Sequence, residues 1–422
     1  MKITTIRQCD QLLQEFTRKV GLHKGYKTDR TKQLSTLVGN PENSLRVVHV
    51  AGTSGKTSTC YYISTLLSTS GSKTGLSVSP HIVSIADRVQ INGTSLDNDI
   101  FSSYFSKFYD IVEASDVRPS YFEFMLVFAL WVFKQENVDY AVIETGLGGL
   151  YDSSNICTRS DKVCCITDIG LDHQAILGDS IKQIAHQKAG IIWSGNHVFT
   201  YNQSTEIMDE IRQRTESVGA NLNICSENYH ITNHSMPLFQ RRNWQLAKQV
   251  YDYIKSRDKL ATVESELIYG TTQIVIPARM EEYIVGDKTI IIDGAHNEQK
   301  MRTFFGSFKG KYGTELLPVI ILSLKQGKDY QSVIPIIAMH TELVIATEFK
   351  EDQDLPYGPQ PASEIVSELE KYEVQAIPTK SMDSALEQAM DSSNSDTIIV
   401  TGSLYAGSEA RRIILSNKYF TK

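Results

Sequence analysis

Short apolar runs rich in β-branched residues alternate along this chain with stretches of helical spacing. Arg46 to Val50 (RVVHV) reads as a buried strand, and a glycine-rich turn leads from it into a helix over about Thr57 to Ser70. An apolar helical stretch from Phe122 to Lys134 precedes a second strand, Asp139 to Glu144 (DYAVIE). Lys162 to Asp168 (KVCCITD) and His197 to Tyr201 continue the series. Between them Ile181, Ile184, Ala185 and Lys188 keep helical spacing behind an N-cap at Asp179 or Ser180. Strands alternating with helices in this way predict a parallel sheet with helical crossovers.

The pattern restarts near Ile276. Thr289 to Asp293, Leu317 to Leu322, Glu342 to Ala346 and Thr397 to Thr401 read as strands. Helices separate them, notably Ala362 to Lys371 and Ser381 to Asp391. Ile268 to Pro277 reads as the linker, so the 422 residues divide into two α/β domains, 1–275 and 276–422.

Composition narrows the classes. Lysine and arginine total 42 against 49 aspartates and glutamates, a net charge of −7, which argues against a general nucleic-acid binder. Mean charge says little about small anions, which local groups hold. The six cysteines (Cys9, Cys60, Cys157, Cys164, Cys165, Cys225) form no CxxC pair and no regular framework, as in a reducing cytosol. The opening residues lack the apolar core of a secretory signal, and the longest apolar stretch, Phe124 to Phe133, is too short to span a membrane. A cytoplasmic protein with no membrane or nucleic-acid partner is expected.

Four clusters carry candidate chemistry. In His49-Val-Ala-Gly-Thr-Ser-Gly-Lys-Thr-Ser-Thr59 a strand enters a glycine turn and Gly-Lys-Thr opens a helix. Glycines admit anions to backbone N–H groups, and a helix N-terminus favours negative charge. Lys56 would neutralise β- and γ-phosphates, and the Thr57 hydroxyl would reach Mg²⁺. Val50 stands where the general phosphate loop has its first glycine, so the spacing is a shorter variant; the alternative is an ordinary glycine turn before a helix. Glu144, ahead of Thr-Gly-Leu-Gly-Gly, lies at a strand tip where a carboxylate can hold Mg²⁺ or simply enter a turn. Asp168-Ile-Gly-Leu-Asp172-His173 follows another strand, and Lys188 lies fifteen residues past His173; alone, both read as structural. Asp293-Gly-Ala-His296-Asn297 reads, alone, as an Asx-rich turn capping a helix.

Together these blocks resemble the Mur ligase superfamily of ATP-dependent amide-bond synthetases, and within it the folylpolyglutamate synthase/dihydrofolate synthase family. The resemblance runs through HVAGTSGKTST (49–59), SVSPH (77–81), DRVQING (87–93), SYFEF (120–124), VIETGLGG (142–149) and ITDIGLDHQAILG (166–178). It continues in HQKAGII (186–192), PARME (277–281), IIDGAHN (291–297) and TGSLYAGSEAR (401–411). It implies an N-terminal P-loop ATPase-type parallel-sheet domain and a smaller Rossmann-like C-terminal α/β domain carrying the glutamate-ligase role.

By position, the resemblance assigns ATP to Gly52, Thr53, Ser54, Gly55, Lys56, Thr57, Ser58, Asn243, Arg279 and Asp293, with His296 beside them. It assigns one or two Mg²⁺ ions to Thr57, Ser79, Glu144, His173 and Lys188, the last as a carbamate. Lys56, His173 and Lys188 are the implied catalytic set. Tyr121, Phe122, Glu123 and Asp152 match the pterin-binding segments. The implied reaction joins L-glutamate to dihydropteroate or a folate through an acyl phosphate, in a monomer.

The chain also departs from the family pattern. Leu150 replaces an arginine, Phe239-Gln240 replaces His-Gln, and Ala278-Arg279 replaces Gly-Arg. Three rival readings are a peptidoglycan-type Mur ligase, an ATP-binding module without ligase activity, and a phosphate-loop GTPase. Only 48 residues precede His49, too few for the extra UDP-sugar domain of the first rival.

Overall fold

In the computed structural model the described residues are 3–20 (backbone alone at 16–20), 28–226, 233, 235–327, 329–350 and 358–416. The chain forms two compact units, Met1–His234 with Gln240–Ile274, and Ser235–Phe239 with Val275–Lys422. The short piece 235–239 belongs to the second unit for a local reason. Phe239 packs on that unit's core, and its N–H donates to Ser307 Oγ at 3.3 Å.

The first unit is built on β1 (Arg46–Ala51), β2 (Thr74–Ser77), β3 (Gln90–Ile91), β4 (Thr94–Ser95), β5 (Tyr140–Glu144), β6 (Val163–Ile166), β7 (His197–Tyr201) and β8 (Asn221–Cys225). They form one sheet in the order β4-β3-β2-β5-β1-β6-β7-β8. The pairs β2–β3 and β3–β4 are antiparallel; every other neighbour pair is parallel. Valine-rich β1 sits in the middle, and its buried positions run from Val47 to Ala51 on both faces, as a central parallel strand requires. The order sets β2, β5, β1 and β6 side by side. Their carboxyl ends lead to Ser79, Glu144, Gly52 and Asp168, which the sequence scatters from position 52 to position 168.

Two helices, Asn98–Glu113 and Tyr121–Gln135, contribute the densest part of the core. Their phenylalanines interlock: the Phe128 ring lies 5.2 Å from Phe101, 5.8 Å from Phe105 and 5.5 Å from Phe108, all near edge-to-face. Ser120 caps the second helix in a capping box with Glu123. Ser180 does the same with Gln183 for helix Ile181–Ala189, which settles the N-cap in favour of Ser180.

The second unit carries β9 (Arg279–Val285), β10 (Lys288–Asp293), β11 (Val319–Leu322), β12 (Leu343–Ala346), β13 (Gln375–Pro378) and β14 (Thr397–Thr401), ordered β13-β12-β11-β14-β10-β9. β10 to β14 are parallel, and β9 runs antiparallel to β10 at the edge. The strand expected at Thr289 to Asp293 as the first of this unit is β10; β9 precedes it. An edge strand with one neighbour keeps polar side chains such as Glu282, so its apolar signal is weak. β2, β8 and β13 escaped the reading for the related reason that they are short or lie at an edge.

The aromatic cluster gives a direct test. Phe128→Ala is expected to cost about 3–5 kcal/mol, read by urea unfolding at 25 °C. A loss below about 1 kcal/mol would contradict the packing described.

Candidate active site

The phosphate-loop residues sit in the turn between β1 and helix Lys56–Thr69. Two glycines are required there by close approach. A side chain at Gly52 would collide with the Thr167 hydroxyl, and one at Gly55 (φ +87°) with the Asn243 carboxamide. Asn243, on helix Leu238–Asp258, therefore lies against the loop. Thr53 and Ser54 do not offer their amides to a ligand. Both donate to the Asp168 carbonyl, at 2.8 and 3.1 Å, and Thr53 Oγ1 also donates to the Gly170 carbonyl at 3.0 Å. The first turn of the following helix, Lys56 to Ser58, carries N–H groups with no acceptor inside the helix, the kind of group that suits an anion.

Glu144, 7% exposed at the tip of β5, draws the next residues together. Thr57 Oγ1 donates to its Oε1 at 2.9 Å, and the Ser79 N–H donates to its Oε2 at 3.1 Å. A hydroxyl, a carboxylate and the Ser79 segment thus converge beside a helix N-terminus. Oxygen donors with a single carboxylate suit Mg²⁺, which keeps several of its waters. Among the described residues no group of three or more His, Cys, Asp or Glu is placed to hold a metal ion by itself.

Lys188 is buried near the end of helix Ile181–Ala189, and its Nζ donates to the Gly52 carbonyl at 2.7 Å. His173 adopts a left-handed conformation (φ 52°) in the turn before helix Gln174–Leu177, with its Nε2 3.7 Å from an Asp172 carboxylate oxygen.

The pterin-segment residues divide in two. Tyr121 and Phe122 flank the buried Arg88 guanidinium, 5.0 and 5.8 Å from the ring centres. Arg88 Nε donates to His81 Nδ1 at 3.0 Å, in the same Ser-Pro-His segment that carries Ser79. Glu123 and Asp152 both accept local hydrogen bonds. Glu123 accepts from the Ser120 N–H and Arg30 Nε, both at 2.6 Å. Asp152 accepts from the Leu147 N–H at 2.8 Å, the Ser154 N–H at 2.9 Å and the Ser154 hydroxyl, so it ties the Gly-Leu-Gly-Gly turn shut. Burial pushes the Asp152 carboxyl up, and these donors hold it down. The Leu150 side chain packs against Gly190, and the Leu150 N–H donates to the Gln187 carbonyl at 2.6 Å.

In the second unit Asp293 ends β10, almost wholly buried. Its carboxylate accepts from the Met280 and Ala295 N–H groups at 2.9 and 2.8 Å. Arg279 Nη1 donates to the Ala278 carbonyl at 2.9 Å, and His296 Nδ1 pairs with the Gly294 carbonyl at 2.8 Å. His296 Nε2 pairs with Lys300 Nζ at 3.1 Å. Asn297 caps helix Glu298–Tyr312. The turn therefore does what an Asx turn does, and it gathers Arg279, Asp293, His296 and Lys300 in one place.

Two family profiles match the chain. The Mur ligase middle domain matches residues 50–274, and the dihydrofolate synthetase C-terminal domain matches residues 279–412. A mitochondrial folylpolyglutamate synthase of Bos taurus is 38% identical over 221 residues, covering 49% of this chain and 38% of that protein. The match thus spans well under two thirds of that relative. A dihydrofolate synthetase of Saccharomyces cerevisiae is 26% identical over 413 residues, covering 91% of this chain and 96% of that one. A solved Mycobacterium tuberculosis folylpolyglutamate synthase, in complex with ADP and AMPPCP, is similar with TM-score 0.84 over 98% of this chain and 99% of that one. At 20% identity that likeness is one of fold.

Burial lifts the Asp293 carboxyl to about 6, against the pull of Arg279. Its folded form therefore holds a proton that the unfolded form has released between about pH 4 and 6. Unfolding free energy is expected to fall by about 3 kcal/mol through that window as pH rises. Asp293→Asn removes this component. The wild-type minus variant difference in unfolding free energy, measured from pH 4 to 7, should fall in the same window; a flat difference would contradict it.

Proposed function

The chain belongs to the Mur ligase family, in its folylpolyglutamate synthase/dihydrofolate synthase branch, and from that premise we propose that it is an ATP-dependent ligase joining L-glutamate to a pterin or folate carboxylate. The observation that carries the reading is the convergence of the three strand ends β1, β5 and β2 with a buried lysine. Lys56 and Thr57 at the helix start, Glu144 with Ser79, and Lys188 on the Gly52 carbonyl share one edge of a parallel sheet.

An acceptor carboxylate oxygen attacks the γ-phosphorus of ATP, and ADP leaves. The glutamate amine then attacks the acyl carbon, loses a proton, and inorganic phosphate departs. Such chemistry needs positioning and charge neutralisation more than a strong base. Lys56 and the first-turn amides hold the phosphates; Asn243 lies against the loop at Gly55. Thr57, Glu144 and Ser79 would hold Mg²⁺, with His173 and a carbamylated Lys188 as its further assigned ligands. When bound, the ion neutralises charge on the phosphate oxygens. By the resemblance, Arg279, Asp293 and His296 are also assigned to the nucleotide. For the acceptor, Tyr121 and Phe122 offer an aromatic pair suited to a flat pterin ring, while Glu123 and Asp152 hold that pair and the glycine turn in shape.

Dihydropteroate is the favoured acceptor, since the yeast relative aligned over nearly its whole length is a dihydrofolate synthetase. Six buried free cysteines support a reducing compartment, and we read it as the cytoplasm and the enzyme as a monomer. No helix among the described residues is long and apolar enough to cross a membrane.

Purified protein should sustain ADP release over many turnovers only when an acceptor and L-glutamate are both present. Lys56→Ala should lower that rate by at least about 10²- to 10³-fold. Unchanged turnover in this variant would end the proposal. Dihydropteroate and a reduced folate, compared as acceptors at equal concentration, decide between the two glutamate additions; dihydropteroate is expected to give the larger kcat/KM.

A further inference from the structure

The phosphate loop hangs on a carbonyl, and that carbonyl belongs to a residue held by an arginine with no assigned role. Asp168 follows β6, and its carbonyl takes both the Thr53 and Ser54 amides. Its carboxylate is gripped from helix Leu238–Asp258 by Arg242, with Nε 3.1 Å from Oδ2 and Nη2 2.9 Å from Oδ1. Two parallel hydrogen bonds from a planar fork fix orientation as well as distance. The guanidinium stacks on the Tyr201 ring at 4.2 Å, and the Tyr201 hydroxyl donates back to the Arg242 carbonyl at 2.8 Å. Arg242 is thus held by its carboxylate, its ring and its own backbone.

The neighbouring residue on the same helix is Asn243, whose carboxamide touches Gly55. One helix turn therefore reaches the loop at two points. Arg242 acts through Asp168 on Thr53 and Ser54, and Asn243 acts directly on Gly55. Between those points lies the peptide that delivers Lys56 and the first-turn amides. A shift of Asp168 would carry Thr53 and Ser54 with it and tilt those donors.

We propose that Arg242 is a positioning residue for the nucleotide, acting through its paired hydrogen bonds to Asp168 to fix the phosphate loop. The inference rests on the reading of that loop as the ATP phosphate site. It assigns no contact between Arg242 and the substrate. Because Arg242 and Asp168 are each about 30% exposed, the pair adds little to global stability; its effect is on loop geometry.

The experiment compares wild type, Arg242→Met, Arg242→Lys, Asp168→Asn and the Arg242→Met/Asp168→Asn double variant. ATP is varied at saturating acceptor and glutamate, ADP affinity is measured by calorimetry, and thermal melts monitor folding. Arg242→Met and Asp168→Asn should each raise the ATP KM and the ADP dissociation constant by about 10- to 100-fold, with kcat changed by less than about 3-fold. The double variant should be no worse than the poorer single, because both remove one coupling. Arg242→Lys should fall in between, since a point charge cannot reproduce the fork. Acceptor KM should not move.

Unchanged nucleotide affinity in folded Asp168→Asn or Arg242→Met would overturn the proposal. So would losses confined to kcat or acceptor KM, or multiplicative losses in the double variant. Failure of the ligase reading looks different: the wild type itself would lack glutamate-dependent ADP release. The ADP arm still reads the loop in that case.

Discussion

Two backbone hydrogen bonds, from Thr53 and Ser54 to the Asp168 carbonyl, are the constraint on which the first unit's chemistry turns. They stitch the exit of β1 to the exit of the adjacent β6. Thr57 then faces Glu144 at the exit of β5, and Ser79 arrives from the exit of β2. Strand pairing brings these ends level, because parallel neighbours share direction and the crossovers lie on the faces of the sheet. Register then sets the fine position: Val50 pairs with Glu144 and with Cys165, and Ala51 with Ile166.

Charged groups near this centre fall into two kinds. Glu123 and Asp152 are satisfied by local amides, hydroxyls and, for Glu123, an arginine, so their charges serve shape. Buried carboxylates need such partners. Glu144 instead accepts from a threonine hydroxyl at a helix start and from the Ser79 N–H; its carboxylate and that hydroxyl are oxygens of the kind a hard cation takes. Asp293 lies between these cases. Two amides satisfy it, yet burial still lifts its carboxyl to about 6. The same residue type therefore holds a loop, offers a cation site or shares a proton, according to its surroundings.

Much of the fold was legible in the chain. Central strands such as β1, β6 and β10 are apolar on both faces and stand out from their neighbours. Strands β2, β8, β9 and β13 were not legible, since short or edge strands bury less and alternate weakly. For the site, the strand-turn-helix around Lys56 was readable because its glycines and its Gly-Lys-Thr are contiguous. The role of Asp168 was not, although the residue stood in a quoted motif. Its partners, Thr53, Ser54 and Arg242, lie more than seventy residues away in each direction. Besides Asn243, the adjacent arginines at 241 and 242 were the sequence signal for that helix turn.

By itself the sequence determined the α/β alternation, the place of the phosphate loop and the family, because contiguous motifs and burial periodicity are local properties. Tertiary structure decided which amides of the loop pair with the Asp168 carbonyl, which acidic residues are held by local donors, and which arginine grips Asp168. Those outcomes depend on hydrogen bonds between residues distant in sequence, and a carboxylate or amide looks the same in a chain whether or not a partner has already claimed it.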